Sequence, residues 1–195
     1  MAAGRRVGAY VGLGANLGDA PETLRRAVAA LAALPGVRLR AVSPLYRTRP
    51  VGVTDQPDFL NAVVALDVPA GPDPETGAMA LLEALKQLEV ALGRRRGLRW
   101  GPRRIDLDLL LFGPHRLAVE RPGNRWLRVP HPEMAGRLFV LAPLADLAPR
   151  LRPPGWNETV AGARRRRLAV EGHAAVARLT AGDEWCQRRS AGPTA

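Results

Sequence analysis

Gly101-Pro-Arg-Arg-Ile105-Asp-Leu-Asp-Leu-Leu-Leu-Phe112-Gly-Pro114 is the most decisive stretch of this 195-residue chain. Glycine-proline pairs bound it on both sides, and the apolar run between them, Ile105 to Phe112, predicts a strand. Residues two apart on a strand face the same side, so Asp106 and Asp108 present their carboxylates together while Ile105, Leu107 and Leu109 face the other way. The strand therefore carries one acidic edge within an otherwise buried segment.

Working outward, Asp73-Pro74 opens a helix whose Leu81, Leu82, Leu85, Leu88 and Leu92 form an apolar stripe, closed by Gly93. Ahead of it lie expected strands over Asn61 to Val68 and Val37 to Tyr46, the latter alternating Val37, Leu39 and Ala41 with Arg38 and Arg40. Asp19-Ala-Pro-Glu22 supplies an N-cap, an early proline and a capping-box glutamate for a helix buried through Leu24, Ala27, Val28, Leu31 and Leu34. The first strand is Val7 to Leu13. Strand, helix, strand, strand, helix, strand is the order of a split β-α-β unit. The expected class is α+β: a ferredoxin-like αβα sandwich, mainly antiparallel, with helices on both faces.

Towards the C-terminus, a short helix is expected after Pro130-His131-Pro132 and another over Arg137 to Leu144. Beyond Pro149 the sequence turns to Arg, Ala and Gly, with Ala161 to Leu179 readable as helix. The expected organisation is one domain over residues 1–149 and an Arg-rich, partly ordered extension over 150–195.

The 29 basic and 18 acidic residues leave a net charge of +11, which predicts attraction to anions without distinguishing nucleotide from nucleic acid. Six arginines and no acid lie between Arg94 and Arg104; nine arginines against four acids follow from Arg150 onward. A single cysteine, Cys186, excludes an intramolecular disulfide, and no Cys/His cluster has zinc spacing. The apolar start is too short and too broken by glycine for a membrane span. A soluble, cytoplasmic, monomeric protein is expected.

Two carboxylates this close in an apolar run raise each other's pKa and cost several kcal/mol unless a cation compensates them. A divalent ion such as Mg²⁺, which takes one or two carboxylates and completes its shell with waters and phosphates, suits the pair. The bland alternative is a solvated sheet face, or pairing with Arg103 and Arg104. The preceding loop Gly93-Arg-Arg-Arg-Gly-Leu-Arg-Trp-Gly-Pro-Arg103 adds mobile glycines and forked donors suited to phosphate oxygens. Metal plus polyphosphate clamp is the reading that joins the two.

Five stretches then carry a resemblance: Tyr10-Val-Gly-Leu-Gly-Ala-Asn-Leu-Gly-Asp19, Ser43-Pro-Leu-Tyr-Arg-Thr48, Asp55-Gln-Pro-Asp-Phe-Leu-Asn61, Arg99-Trp-Gly-Pro-Arg-Arg-Ile-Asp-Leu-Asp-Leu109 and Val129-Pro-His-Pro-Glu-Met134. In this order they resemble the 6-hydroxymethyl-7,8-dihydropterin pyrophosphokinases of folate biosynthesis. The resemblance implies transfer of the β,γ-pyrophosphoryl group of ATP to the pterin hydroxymethyl oxygen, with AMP released. It implies two magnesium ions on Asp106 and Asp108, and a possible proton-accepting role for Asp106. Catalytic duty falls to Arg94, Arg96, Arg103, Asp106 and Asp108. Nucleotide contacts fall to Glu89, Arg94, Arg96, Arg99, Trp100, Arg103, Leu109, His131 and Arg137.

On the acceptor side, the resemblance implies that Phe59 and Phe139 sandwich the pterin. Asn61 bonds its edge, and Thr48 and Val51 offer backbone contacts. Composition alone reads both phenylalanines as core. Phe59 stands where many members have tyrosine, Pro132 where some have an aromatic, and nothing is carried over onto Glu120 to Trp126.

Two other classes compete. A nucleic-acid-binding domain fits the net charge, but aromatic residues are few and no recognised binding motif appears. A dinucleotide-binding oxidoreductase would use Gly12-Leu-Gly-Ala-Asn-Leu-Gly18, yet the spacing is one residue long and the strand order is wrong for a parallel sheet.

Overall fold

The computed structural model describes residues 5–50, 52, 54–95, 101–121 and 125–187. In chain order its strands and α-helices are β1 (Arg6–Ala15), α1 (Ala20–Ala32), β2 (Arg38–Val42), β3 (Tyr46–Thr48), β4 (Phe59–Pro69), α2 (Pro74–Ala91), β5 (Asp106–Phe112), β6 (Leu117–Arg121), β7 (Arg125–Val129), α3 (Leu138–Leu147), α4 (Val160–Glu171) and β8 (Val176–Arg178). A 3₁₀ turn, Met134–Gly136, is the short helix expected after the Pro-His-Pro run.

The central sheet runs β5-β1-β4-β3-β8, with β2 also paired to β4, and every one of these pairings is antiparallel. Strands β6 and β7 form a separate hairpin. This is the expected α+β, ferredoxin-like arrangement. It removes the dinucleotide-fold alternative, which requires parallel strands joined by crossovers.

Local chemistry places the helices. Asp19 accepts from the Glu22 N–H at 3.0 Å and Asp73 from the Thr76 N–H at 2.8 Å, each cap being worth about 1 kcal/mol. Helices α1 and α2 cover one face, packing Leu24, Leu31 and Leu85 against Val11, Leu13, Ile105, Leu107 and Leu109. Helices α3 and α4 cover the other face, where Leu141, Leu144 and Val160 meet Val63, Leu110 and Leu111. Leu110 and Leu111 both reach that layer because the β1–β5 register slips: Val11 lies opposite Leu109 but Tyr10 opposite Leu111. The slip is a β-bulge. Strict alternation survives before it, so the Asp106 and Asp108 side chains stay on the α3 side.

Two expectations change. The strand expected over Val37 to Tyr46 is broken, because Pro44 has no N–H to donate and Ser43 turns inward. Ser43 Oγ accepts from the Val63 N–H at 2.9 Å while its own N–H donates to Val63 O at 2.9 Å. The helix expected over Ala161 to Leu179 stops at Gly172, whose φ of 79° continues no α-helix, and the chain then extends into β8. Residues 150–187 pack onto the sheet: Val160 and Ala163 enter the α3-side core, β8 pairs with β3, and Trp185 is buried among the residues on the α1–α2 side.

Candidate active site

The third layer leaves a cleft of about 410 Å³ over the middle of the sheet, beside α3. Its floor is set by register. On β1, Gly12 lies opposite Asp108 of β5 and Val63 of β4; Gly14 lies opposite Asp106 and Asn61. Directly paired residues share a face, so the central strand contributes glycine wherever its side chains would rise into the cleft. Asp106, Gly14 and Asn61 form one row across the sheet. Two strand spacings put the Asp106 and Asn61 backbones about 10 Å apart. A Cβ on Gly14 would stand 3.1 Å from Asn61 Oδ1.

Asp106 and Asp108 both line the cleft but are held differently. The two Asp106 oxygens are taken by Arg94 Nη1 and Arg103 Nη1, each at 2.7 Å. The pairing with Arg103 raised as the bland alternative therefore forms; Arg94, rather than Arg104, is the second partner. Asp108 makes no such pair among the described residues, and burial, with the Asp106 charge next, raises its pKa above the ordinary carboxylate value. His131, Lys86 and Arg137 pull it partly back. Burial in turn lowers His131 below the usual imidazole range, against the pull of Asp108, which favours the neutral ring.

Beneath the pair, α2 grips the free edge of β5. Glu89 Oε1 accepts the Leu107 N–H at 2.7 Å, and Lys86 Nζ donates to Leu107 O at 3.1 Å and to Glu89 at 2.9 Å. The residue between the two aspartates thus has its peptide groups bound by side chains where no further strand pairs. Glu89 is 2% exposed and also pairs with Arg94. Burial pushes its carboxyl up while Lys86, the Leu107 N–H and Arg94 draw it down.

Of the residues singled out in the sequence, Thr48, Phe59, Asn61, Arg94, Arg103, Asp106, Asp108, His131, Arg137 and Phe139 all line this one cleft. Asn61 Nδ2 donates to Thr48 Oγ1 at 2.7 Å, and the Arg137 guanidinium lies 5.5 Å from the Phe139 ring centre. Glu89 sits below the floor. The Leu109 side chain is buried on the opposite, α1–α2 face, which leaves only its backbone for a ligand. Val51, Arg96, Arg99 and Trp100 lie outside the described residues.

Residues that sequence reasoning passed over include Gly12, Gly14, Lys86 and Asn16. Asn16 Nδ2 donates to Gln56 Oε1 and Pro57 O, both at 3.0 Å, while its Oδ1 accepts the Arg103 N–H at 2.7 Å. It joins the loop before β4 to the end of the arginine loop. Its signal was the asparagine inside the Gly-rich stretch, which has no apolar or capping duty. Lys86 gave no signal, since a lysine on an amphipathic helix reads as solvated.

Among the described residues no group of three or more His, Cys, Asp or Glu side chains can hold a metal. Two carboxylates on one face, one of them raised by burial, match Mg²⁺, which relies on water and phosphate for its remaining ligands.

An antiparallel α+β domain with an acidic pair, an arginine cluster and two cleft-lining phenylalanines has the chemistry that a nucleotide-dependent transferase needs. The sequence model of the 7,8-dihydro-6-hydroxymethylpterin-pyrophosphokinase (HPPK) family matches residues 10–149, and the chain belongs to that family. It is 50% identical over 145 residues to the 2-amino-4-hydroxy-6-hydroxymethyldihydropteridine pyrophosphokinase of Pseudomonas aeruginosa, covering 74% of this chain and 83% of the relative. The enzyme of the same name from Bacillus subtilis is 46% identical over 139 residues, 71% and 77% of the two chains. The fold is similar to that of wild-type Plasmodium falciparum HPPK-DHPS, with a TM-score of 0.67 at 14% identity. That likeness covers 85% of this chain and 45% of the larger protein, so the chain spans under half its length.

Proposed function

We propose that this cleft performs the reaction of its family with the residues named above. The chain is a diphosphotransferase of folate biosynthesis: it moves the pyrophosphoryl group of ATP to the hydroxymethyl group of 6-hydroxymethyl-7,8-dihydropterin and releases AMP. The observation that carries the residue assignment is the Asp106–Gly14–Asn61 row, which joins an anionic metal-binding end to an amide-bearing end across a glycine floor.

The acceptor lies over β4, with Asn61 and Thr48 at its polar edge and Phe59 and Phe139 against its ring faces; a flat heteroaromatic suits such a slot. ATP lies over β5, its phosphates facing Arg94, Arg103, His131 and Arg137. Arg96, Arg99 and Trp100 belong to the same nucleotide side by family resemblance, and Val51 to the acceptor side. When bound, two magnesium ions on Asp106 and Asp108 neutralise the phosphates and polarise the transferred group.

The chain's own residues align the reactants and supply cationic donors, and in such transfers alignment and charge compensation provide most of the rate. In this arrangement Asp106 holds both guanidinium groups. Arg94 and Arg103 then exchange one anion for another when the nucleotide arrives, so the desolvation cost of burying them is already met. His131, whose pKa burial lowers, offers the phosphates a hydrogen-bond donor.

Among the described residues no helix is long and apolar enough to cross a membrane. The single cysteine supports a reducing, cytoplasmic setting.

A coupled assay of AMP formation tests the assignment. Asp108→Ala should lower turnover by several orders of magnitude, because Asp106 alone cannot hold the ions against the arginines. Near-normal magnesium-dependent turnover in that variant would refute it.

A further inference from the structure

The family match ends at residue 149, yet the segment that follows is bonded into the wall of the cleft. Strand β3 brings Thr48 to the cleft, and β8 pairs with it along its whole length: Tyr46 opposite Arg178, Arg47 opposite Ala177, Thr48 opposite Val176. Just before β3, the Leu45 carbonyl accepts from the Leu179 N–H at 2.8 Å, and the Leu45 N–H donates to Thr180 Oγ1 at 2.9 Å. Two residues earlier, the Ser43 carbonyl accepts from Trp185 Nε1 at 2.8 Å.

The turn that makes these bonds is itself fixed. The Thr180 hydroxyl donates to Gly182 O at 2.9 Å, and the Glu184 carboxylate accepts from the Ala181 and Gly182 N–H groups, both at 2.8 Å. Trp185, 8% exposed, is inserted into the α1–α2-side core and anchors the far end. Without this segment β3 is a three-residue edge strand with one neighbour, the kind of element that opens most readily. Thr48 would then no longer hold the Asn61 amide in place.

We infer that Val176–Trp185 is a positioning element for the acceptor half of the cleft: it holds β3 so that Thr48 and Asn61 present a fixed hydrogen-bonding edge to a flat heteroaromatic substrate. This rests on the assignment of the acceptor to Phe59 and Asn61. None of its residues lines the cleft. Its influence on the acceptor passes through β3, and the part of the nucleotide half built on β5 and α2 takes part in none of these bonds; α3, which carries Phe139, also packs against β8 and β3.

The test uses full-length protein and measures KM for the pterin at saturating Mg-ATP, and KM for ATP at saturating pterin. Thr180→Val keeps the side-chain shape and removes the bonds to the Leu45 N–H and Gly182 O; Trp185→Phe removes the bond to Ser43 O and keeps an aromatic, though smaller, ring in the core. Each should raise the pterin KM about fivefold and leave the ATP KM unchanged, while Thr180→Ser, which restores the hydroxyl, should return the pterin KM to within about twofold. A purely structural role would lower the active fraction, and with it the apparent turnover, without moving one KM selectively; that result overturns the inference. So does an equal rise in both KM values. Phe59→Ala is the reference. If it raises the pterin KM and Thr180→Val does not, the inference alone fails; if Phe59→Ala has no effect, the acceptor assignment fails and the inference with it.

Discussion

Asp106 and Asp108 are two residues apart on one strand and have the same formal charge, yet their surroundings divide their duties. Asp106 is neutralised by two guanidinium groups; Asp108 is raised by burial and by its neighbour, and in the proposed function it takes a cation brought from outside. Glycine decides the space between them and the acceptor. Gly14 faces Asn61, and any side chain there enters the floor of the cleft. Gly14→Ala should raise the pterin KM about tenfold, because a methyl group 3.1 Å from Asn61 Oδ1 forces the amide to shift. The strand itself should survive, since its backbone needs no special φ at that position. Unchanged steady-state kinetics with pterin would show that the floor over Gly14 is not used.

At the scale of elements, the edge of β5 is the feature that local reading undervalues. An edge strand exposes unpaired N–H and C=O groups, and here α2 satisfies those of Leu107 with Glu89 and Lys86. The amphipathic pattern of α2 shows which face is buried, but it does not reveal that a carboxylate on that face is serving as a strand's hydrogen-bond partner. Glu89→Leu leaves the Leu107 N–H unsatisfied and Arg94 short of a partner, which should cost about 3 kcal/mol. Glu89→Gln keeps an acceptor and should cost clearly less. Urea unfolding compares the two; equal losses would mean that charge, and not the Leu107 bond, is what Glu89 supplies.

At the scale of the molecule, the cleft takes residues from β1, β3, β4, β5, α2 and α3, and in the proposed function a bound nucleotide ties β5 to the segments that carry Arg94, His131 and Arg137. A non-hydrolysable Mg-ATP analogue at about one hundred times its Kd should stabilise the protein by about 2.7 kcal/mol, a rise of about 5–11 °C in Tm. Thermal unfolding with excess EDTA should lose most of that rise, since the phosphates then face Asp106 and Asp108 with no ion between them. A Tm shift that chelation leaves untouched would place the nucleotide on the arginines alone.

Several features were legible without coordinates because they are properties of the backbone. Alternation put Asp106 and Asp108 on one face and Leu107 and Leu109 on the other, and caps at Asp19 and Asp73 marked where helices begin. Five ordered motifs led to the family, and ten of the residues that the resemblance singled out meet in one cleft. Other features needed the tertiary structure. Leu45 bonds Thr180 across 135 positions, and the Asp106–Gly14–Asn61 row joins three strands distant in sequence. Periodicity reports which side of an element is buried, whereas the choice of partner depends on how whole surfaces fit together, and that leaves no local trace. The acidic pair belonged to the sequence; the floor, the edge clamp and the strand that braces the acceptor wall belong to the packing.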